Sequence, residues 1–106
     1  MHHDLLIRRA TLLDGTGADP CIADVAIKGD RIVAVGDLAG HEASEVVQAE
    51  GLVLTPGFID VHTHDDTNVV RTPEMLPKLS QGVTTVVVGN CGISASPVTL
   101  RGSEVP

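Results

Sequence analysis

The feature that most constrains the fold is a pair of apolar segments separated by the length of a short helix. Phe58 to His64 is apolar and β-branched, and it follows the turn-forming Pro56-Gly57. Val83 to Val88 is a continuous apolar run, as expected of a strand buried on both faces. Between them, Pro73 suits a first helical position, and the helix should stop before Gly82. Strand, helix and strand predict a βαβ unit with parallel strands and a right-handed crossover.

The connection between these strands is predicted less sharply. Asp65 to Thr72 is polar, and we expect a loop there. Pro77 follows Pro73 closely, so the helix is either concentrated in its first turn or kinked at Pro77, and its N-terminal boundary stays open. Residues 94–106 are expected to form the loop after the second strand.

The first half of the chain contains short apolar pieces broken by turn signals. Gly29-Asp30 separates two of them and predicts a hairpin. Many short strands at close spacing predict a small β-sandwich or an open β-subdomain over residues 1–54, with the βαβ unit in residues 55–106. The predicted strands are Leu5–Ile7, Thr11–Leu13, Ile22–Lys28, Arg31–Val35, Glu45–Gln48 and Leu52–Leu54.

Candidate metal ligands stand at the carboxyl ends of both predicted parallel strands. Side chains alternate along a strand, so His62 and His64 should share one face, with Asp60 below them. Cys91 follows the second strand, and functional groups gather at the carboxyl ends of strands in parallel β/α folds. Two imidazoles and a thiol at one edge form a ligand set that suits zinc and related first-row metals.

Ordinary structural roles are open for the same residues. A pair of histidines can fall two residues apart by chance in a chain with five histidines. Cys91 could be a buried thiol in a glycine-flanked turn. Asp65 and Asp66 could support the histidine pair or simply begin a loop. Cys21 is expected to be a small buried apolar residue.

Charge and length restrict the partners of the chain. The formal charge of −7 and the lack of a Lys/Arg cluster argue against nucleic acid or an anionic membrane surface. No apolar run approaches the roughly 20 residues needed to cross a bilayer. The start Met1-His2-His3-Asp4 lacks the pattern of a signal peptide, so we expect a cytoplasmic protein with both cysteines as thiols.

Two stretches carry a resemblance to a known family. Thr55 to His64 resembles the general signature of the amidohydrolase superfamily, shared with hydantoinases and dihydroorotases. His64-Asp65-Asp66 and Lys78 to Ser94 are similar to the N-acyl-D-amino-acid deacylases, or D-aminoacylases, within it. The resemblance covers nearly the whole chain, including the hairpin at Gly29-Asp30.

The resemblance implies a (β/α)₈ barrel carrying a small β-sandwich, with zinc at the carboxyl end of the barrel. His62 and His64 would be first-strand metal ligands. Cys91 would be the thiolate ligand where many relatives use a carboxylated lysine. The activity implied is hydrolysis of the amide bond of an N-acyl-D-amino acid to a carboxylate and a free D-amino acid.

A barrel of this kind needs about 250 residues, so this chain should be an N-terminal piece that holds two of eight strands. Its further histidine ligands and catalytic aspartate are expected downstream, and the piece alone should be inactive. The faces of Val83 to Val88 would then lack covering partners. One alternative is a hydantoinase-like cyclic amidase, which Asn90-Cys91-Gly92 disfavours. The other is a non-catalytic metal-binding or interaction module, if the chain exists as it stands.

Overall fold

The computed structural model describes residues 1–95. The chain divides into two compact units, Met1–Pro56 and Gly57–Pro106. The domain ranges 1–54 and 55–106 stay predictions, because compactness alone does not show which parts fold as domains. Of the predicted loop at residues 94–106, residues 96–106 lie outside the described part of the chain.

The strands of the first unit form a mixed five-stranded sheet. The order is β3-β2-β1-β4, and the short β5 also pairs with β1. β1 is antiparallel to β2 and parallel to β4 and β5. The β-sandwich expected for this unit stays a prediction. The strands are β1 (His2–Leu12), β2 (Cys21–Lys28), β3 (Arg31–Gly36), β4 (Glu42–Gln48) and β5 (Val53–Leu54).

The prediction of two separate strands in the first 13 residues is wrong, because a bulge joins them into β1. The register against β2 shifts between Ile7 and Ala10, and Arg9 takes a φ of 56°. Asp24 stabilises this bulge, since its Oδ1 accepts the Arg9 N–H at 2.8 Å and its Oδ2 accepts Arg8 at 3.1 Å. Burial opposes ionisation of Asp24, but these hydrogen bonds outweigh it and lower the pKa of the carboxyl.

The core of the first unit is small and aliphatic. Leu6, Ala26 and Leu38 are buried together, and Ala34 and Ala43 pack against them. The Gly29 turn takes a φ of 58°, and the predicted hairpin between β2 and β3 is confirmed. Cys21, expected to be buried, is an exposed free thiol at the first residue of β2.

The second unit contains the predicted pair of parallel strands. β6 (Phe58–Asp60) pairs with β7 (Val83–Val86) in parallel, as predicted. Between them lie α1 (Asn68–Arg71) and α2 (Leu76–Leu79), and a 3₁₀ turn follows at Asn90–Gly92. Gly57 permits the close approach of the strands, since a Cβ there would overlap the Thr84 side chain.

Several predicted boundaries in this unit are wrong. β6 ends at Asp60 instead of His64, and β7 ends at Val86 instead of Val88, because the backbone beyond them turns into loops tied by side chains. The predicted loop Asp65 to Thr72 contains α1. The helix expected from Pro73 begins at Leu76, and Pro77 lies in its first turn, where a missing N–H costs nothing.

Val83 to Val88 is not buried on both faces in the described residues, which agrees with the expectation that its faces lack covering partners in this piece. Val87 and Val88 are each 43% exposed, and Phe58 on the neighbouring strand is 57% exposed. Within residues 57–95, Val83 and Val86 of β7 are therefore only partly buried, and Val87 and Val88 beyond the strand have no complete cover. Neither helix in that range has the length and apolarity that a helical membrane crossing requires.

Candidate metal centre

The loop after β6 presents two imidazoles on either side of a buried threonine. Thr63 is 4% exposed, whereas His62 and His64 are exposed. The Thr63 N–H and hydroxyl both donate to the Val87 carbonyl, at 3.2 and 3.0 Å. Strand-like alternation therefore continues past Asp60 although the strand has ended. The two imidazole centroids lie 5.7 Å apart, with the rings tilted by 49°.

The thiol comes from the turn after β7. Cys91 has φ 57° and ψ 29° between two glycines that also have positive φ, Gly89 at 81° and Gly92 at 74°. A non-glycine residue held there costs about 1–3 kcal/mol, and such strain is typical of functional sites. Cys91 is exposed, so the alternative of a buried structural thiol is wrong.

The three side chains predicted at one edge lie together. Cys91 Sγ is 3.4 Å from Nε2 of His62, and one ligand atom from each of His62, His64 and Cys91 lies within 4.8 Å of the other two. Within residues 1–95, this is the group of three potential metal ligands that the structure brings together.

The donor set and its spacing fit a tetrahedral first-row metal. Zinc bonds of about 2.0–2.3 Å place ligand atoms about 3.3–3.8 Å apart. The Cys91–His62 distance already falls in this range, and the remaining separation of at most 4.8 Å closes with a small side-chain movement. Three ligands from this chain occupy three of the four tetrahedral positions, and the fourth is left for water, substrate or a ligand expected downstream.

An ion-pair cluster beside the histidines was not predicted from the sequence. Lys78 on α2 donates to Asp60 Oδ2 at 2.7 Å and lies 3.3 Å from Asp65 Oδ2. The hydrogen bond from Lys78, with the His62 N–H, lowers the pKa of Asp60, and the same carboxylate raises the pKa of Lys78. Asp60 is therefore paired with an ammonium group. The signal in the sequence was that Lys78 is the sole lysine after residue 28 in an acidic chain.

The two acidic residues after His64 have different partners. Asp65 accepts the Asn68 side-chain amide at 3.0 Å, in addition to its ion pair with Lys78. Asp66 is 4% exposed, and its Oδ1 accepts the Gly89 N–H at 2.8 Å. Asp65 thus contacts α1 and α2, whereas Asp66 contacts the turn that carries the thiol.

Known proteins resemble the chain over nearly all of its length. It is 55% identical over 103 residues to the N-acyl-D-aspartate deacylase of Alcaligenes xylosoxydans xylosoxydans, covering 97% of this chain and 21% of that protein. The D-aminoacylase of the same organism is 50% identical over 103 residues, with the same coverage. The chain therefore spans about a fifth of the length of these relatives.

A solved structure extends the similarity to the fold. It is the crystal structure of N-acyl-D-glutamate deacylase from Bordetella bronchiseptica, complexed with zinc and a phosphonate inhibitor that mimics the tetrahedral intermediate. The TM-score is 0.87 at 47% identity, over 94% of this chain and 21% of that one.

The family model of the amidohydrolase family matches residues 45–105. This match includes both strands of the second unit and all three side chains of the candidate metal centre. The resemblance seen in the sequence is confirmed, and the chain belongs to the amidohydrolase family.

Proposed function

We propose that this chain provides the first metal ligands of a zinc-dependent N-acyl-D-amino-acid deacylase. The reaction is hydrolysis of the amide bond of an N-acyl-D-amino acid, which releases a carboxylate and the free D-amino acid. The observation that carries the proposal is the convergence of His62, His64 and Cys91 at the carboxyl ends of β6 and β7. Since the chain spans 21% of its relatives, the activity is proposed for a protein of the relatives' length.

The proposed architecture follows the same relatives. Residues 1–54 would contribute to a small β-sandwich, and residues 55–106 would form the first βαβ unit of a (β/α)₈ barrel. The parallel pairing of β6 and β7 and the exposed apolar side chains around them support this arrangement. In such a barrel, the candidate metal centre would open at the carboxyl end of the strands, where barrel enzymes hold their active sites.

Each residue of the centre has a defined chemical task. His62 and His64 would bind through neutral imidazole nitrogens, and Cys91 through a thiolate whose charge partly neutralises the cation. When bound, zinc lowers the pKa of water toward 7 and polarises the scissile carbonyl. Lys78 would hold the carboxyl groups of Asp60 and Asp65 in one ion-pair cluster beside the histidines. The proton-transferring aspartate implied by the family is expected outside this chain.

The substrates proposed are N-acyl-D-amino acids, and the named relatives suggest which side chains to compare. One relative is an N-acyl-D-aspartate deacylase and one solved structure is an N-acyl-D-glutamate deacylase. The test is turnover of N-acetyl-D-aspartate, N-acetyl-D-glutamate and N-acetyl-D-methionine by a protein of the relatives' length. L-enantiomers and a hydantoin serve as controls. Turnover of the hydantoin without any N-acetyl-D-amino acid would refute the deacylase and favour the cyclic amidase.

The two cysteines provide a matched test of the metal centre. Cys91→Ala should lower both bound zinc and turnover, because it removes one of three converging ligands. Cys21→Ala should leave both near wild type, because Cys21 is an exposed thiol of the first unit. Zinc content by elemental analysis, measured on the same protein used for turnover, decides the comparison. Equal zinc occupancy in wild type and Cys91→Ala would remove Cys91 from the centre.

A further inference from the structure

The turn that carries Cys91 is held by contacts from the loop that carries the histidines. The left-handed backbone of Cys91 is unfavourable for a residue with a side chain, so surrounding contacts must impose it. Among the described residues, two side chains besides the proposed ligands donate or accept hydrogen bonds that hold this turn against the histidine loop. One is Asp66, which follows the histidine pair, and the other is Asn90, which precedes the thiol.

Asp66 fixes the start of the turn. Its side chain is buried, and Oδ1 accepts the Gly89 N–H at 2.8 Å. Its Oδ2 is also buried and has no hydrogen-bond partner within residues 1–95. A buried side-chain oxygen without a hydrogen-bond partner is unfavourable for folding, so fold stability alone does not explain this placement of Asp66. The hydrogen bond to Asp66 therefore fixes the position of the Gly89 backbone, two residues before Cys91.

Asn90 fixes the next residue. Its side-chain amide donates to the Thr63 carbonyl at 3.2 Å and to the Val87 carbonyl at 3.0 Å. Thr63 lies between His62 and His64, so one amide group connects the backbone of the histidine loop to the residue beside Cys91. Two consecutive residues of the turn are therefore held by the histidine loop. Gly89 donates its N–H to Asp66, and Asn90 donates its side-chain amide to the Thr63 carbonyl.

We propose that Asp66 and Asn90 are positioning residues that hold the Cys91 thiol at the imidazoles before a metal binds. This inference rests on the metal centre proposed above. It assigns Asp66 to support of the thiol turn, while Asp65 is engaged with Lys78. A preformed thiol position raises metal affinity because less order has to be created when the metal binds.

The test uses Co²⁺ titrations of the 106-residue chain, because cobalt reports thiolate coordination through a thiolate-to-metal charge-transfer band. Asp66→Ala and Asn90→Ala should each weaken Co²⁺ binding about 10- to 100-fold, the usual effect of removing an outer support of a ligand. The charge-transfer band should also fall relative to the ligand-field bands. Asp66→Asn should recover most of both, since its amide oxygen can accept the Gly89 N–H.

A matched control variant lies in the first unit. Asp4 Oδ2 accepts the Gly29 N–H at 2.6 Å, so Asp4→Ala removes the same charge and the same kind of hydrogen bond. It should leave cobalt affinity and the charge-transfer band unchanged. Far-UV circular dichroism of each metal-free variant shows whether it folds. If Asp66→Ala does not fold, Asn90→Ala and Asp66→Asn still decide the question.

The outcomes separate this inference from the proposed function. Wild-type affinity and a full charge-transfer band in folded Asn90→Ala and Asp66→Ala would refute the positioning role and leave the metal centre standing. Weakened binding with an undiminished charge-transfer band would also refute it, because the thiol would still coordinate. Absence of cobalt binding both by the wild-type chain and by a protein of the relatives' length would refute the proposed centre, and the positioning role with it.

Discussion

Replacing Cys91 by glycine should stabilise the metal-free protein while destroying its metal centre. Cys91 has a φ of 57°, and a side chain at such a backbone position costs about 1–2 kcal/mol relative to glycine. Glycine also gains about 0.4–1 kcal/mol of conformational freedom in the unfolded chain, which offsets part of this. We therefore expect Cys91→Gly to be more stable than Cys91→Ala by about 0.5–1 kcal/mol.

A second glycine–alanine pair isolates the backbone contribution. Ser80 is exposed and has an ordinary φ of −62° at the end of α2. There, Ser80→Gly should be less stable than Ser80→Ala by about 0.5–1 kcal/mol, since nothing favours glycine. The difference between glycine and alanine should thus have opposite signs at residues 91 and 80. Both Cys91 variants should lose the thiolate-to-cobalt band.

The assay is thermal or urea unfolding of the metal-free chain in the presence of a chelator. Unfolding is monitored through a spectroscopic signal that arises from the second unit. For domains of this size, 1 kcal/mol corresponds to roughly 4–8 °C in Tm, so the expected difference is measurable. If Cys91→Gly proves no more stable than Cys91→Ala, the turn does not hold residue 91 at positive φ. The argument that strain is stored at the thiol would then be refuted.

Three further predictions concern the pKa of Asp60, the pH dependence of stability caused by His3, and the activity of the 106-residue chain. Lys78→Met should raise the pKa of Asp60 toward the ordinary 3.8, measured by NMR titration of its carboxyl carbon; an unchanged value would disprove the coupling. His3 is buried beside His41, and burial and that neighbour lower its pKa below 6.5, so stability of the first unit should fall as pH drops from about 6.5 toward the folded-state pKa. His3→Gln should flatten that pH dependence of unfolding, whereas an unchanged slope would exclude His3 as its source. The purified 106-residue chain should show no deacylase turnover, since general acid–base catalysis alone contributes about 10²–10⁴ in rate; zinc-dependent turnover free of host enzyme would contradict this.

The main features of the second unit were predictable because they depend on short-range signals. An apolar run after Pro56-Gly57 and another at Val83 to Val88 predicted two strands, and the connection between them predicted their parallel pairing. Parallel strands end at the same edge, which brings residues 62, 64 and 91 together without any knowledge of side-chain packing. Their role as ligands stays a proposal.

The strand ends were not predictable because side chains distant in sequence determine them. Val87 was assigned to the second strand for its apolar character. In the structure its carbonyl accepts the Thr63 N–H, the Thr63 hydroxyl and the Asn90 amide. No local propensity reports the bonds from Thr63 to Val87, which join residues 24 positions apart in the chain. The β1 bulge has a similar origin, since the Asp24 carboxylate on β2 accepts the Arg9 backbone N–H at the bulge.

The backbone of the thiol turn shows most clearly what local propensity misses. In Gly89-Asn90-Cys91-Gly92, asparagine is the non-glycine residue that most readily adopts positive φ. Asn90 nevertheless keeps a right-handed backbone, and Cys91 takes the left-handed one. The Asn90 side-chain amide donates to the Thr63 and Val87 carbonyls, so the positive φ that turns the chain is adopted by the next residue, Cys91. The unfavourable backbone of Cys91 is therefore the consequence of anchoring Asn90, and it directs Sγ toward His62.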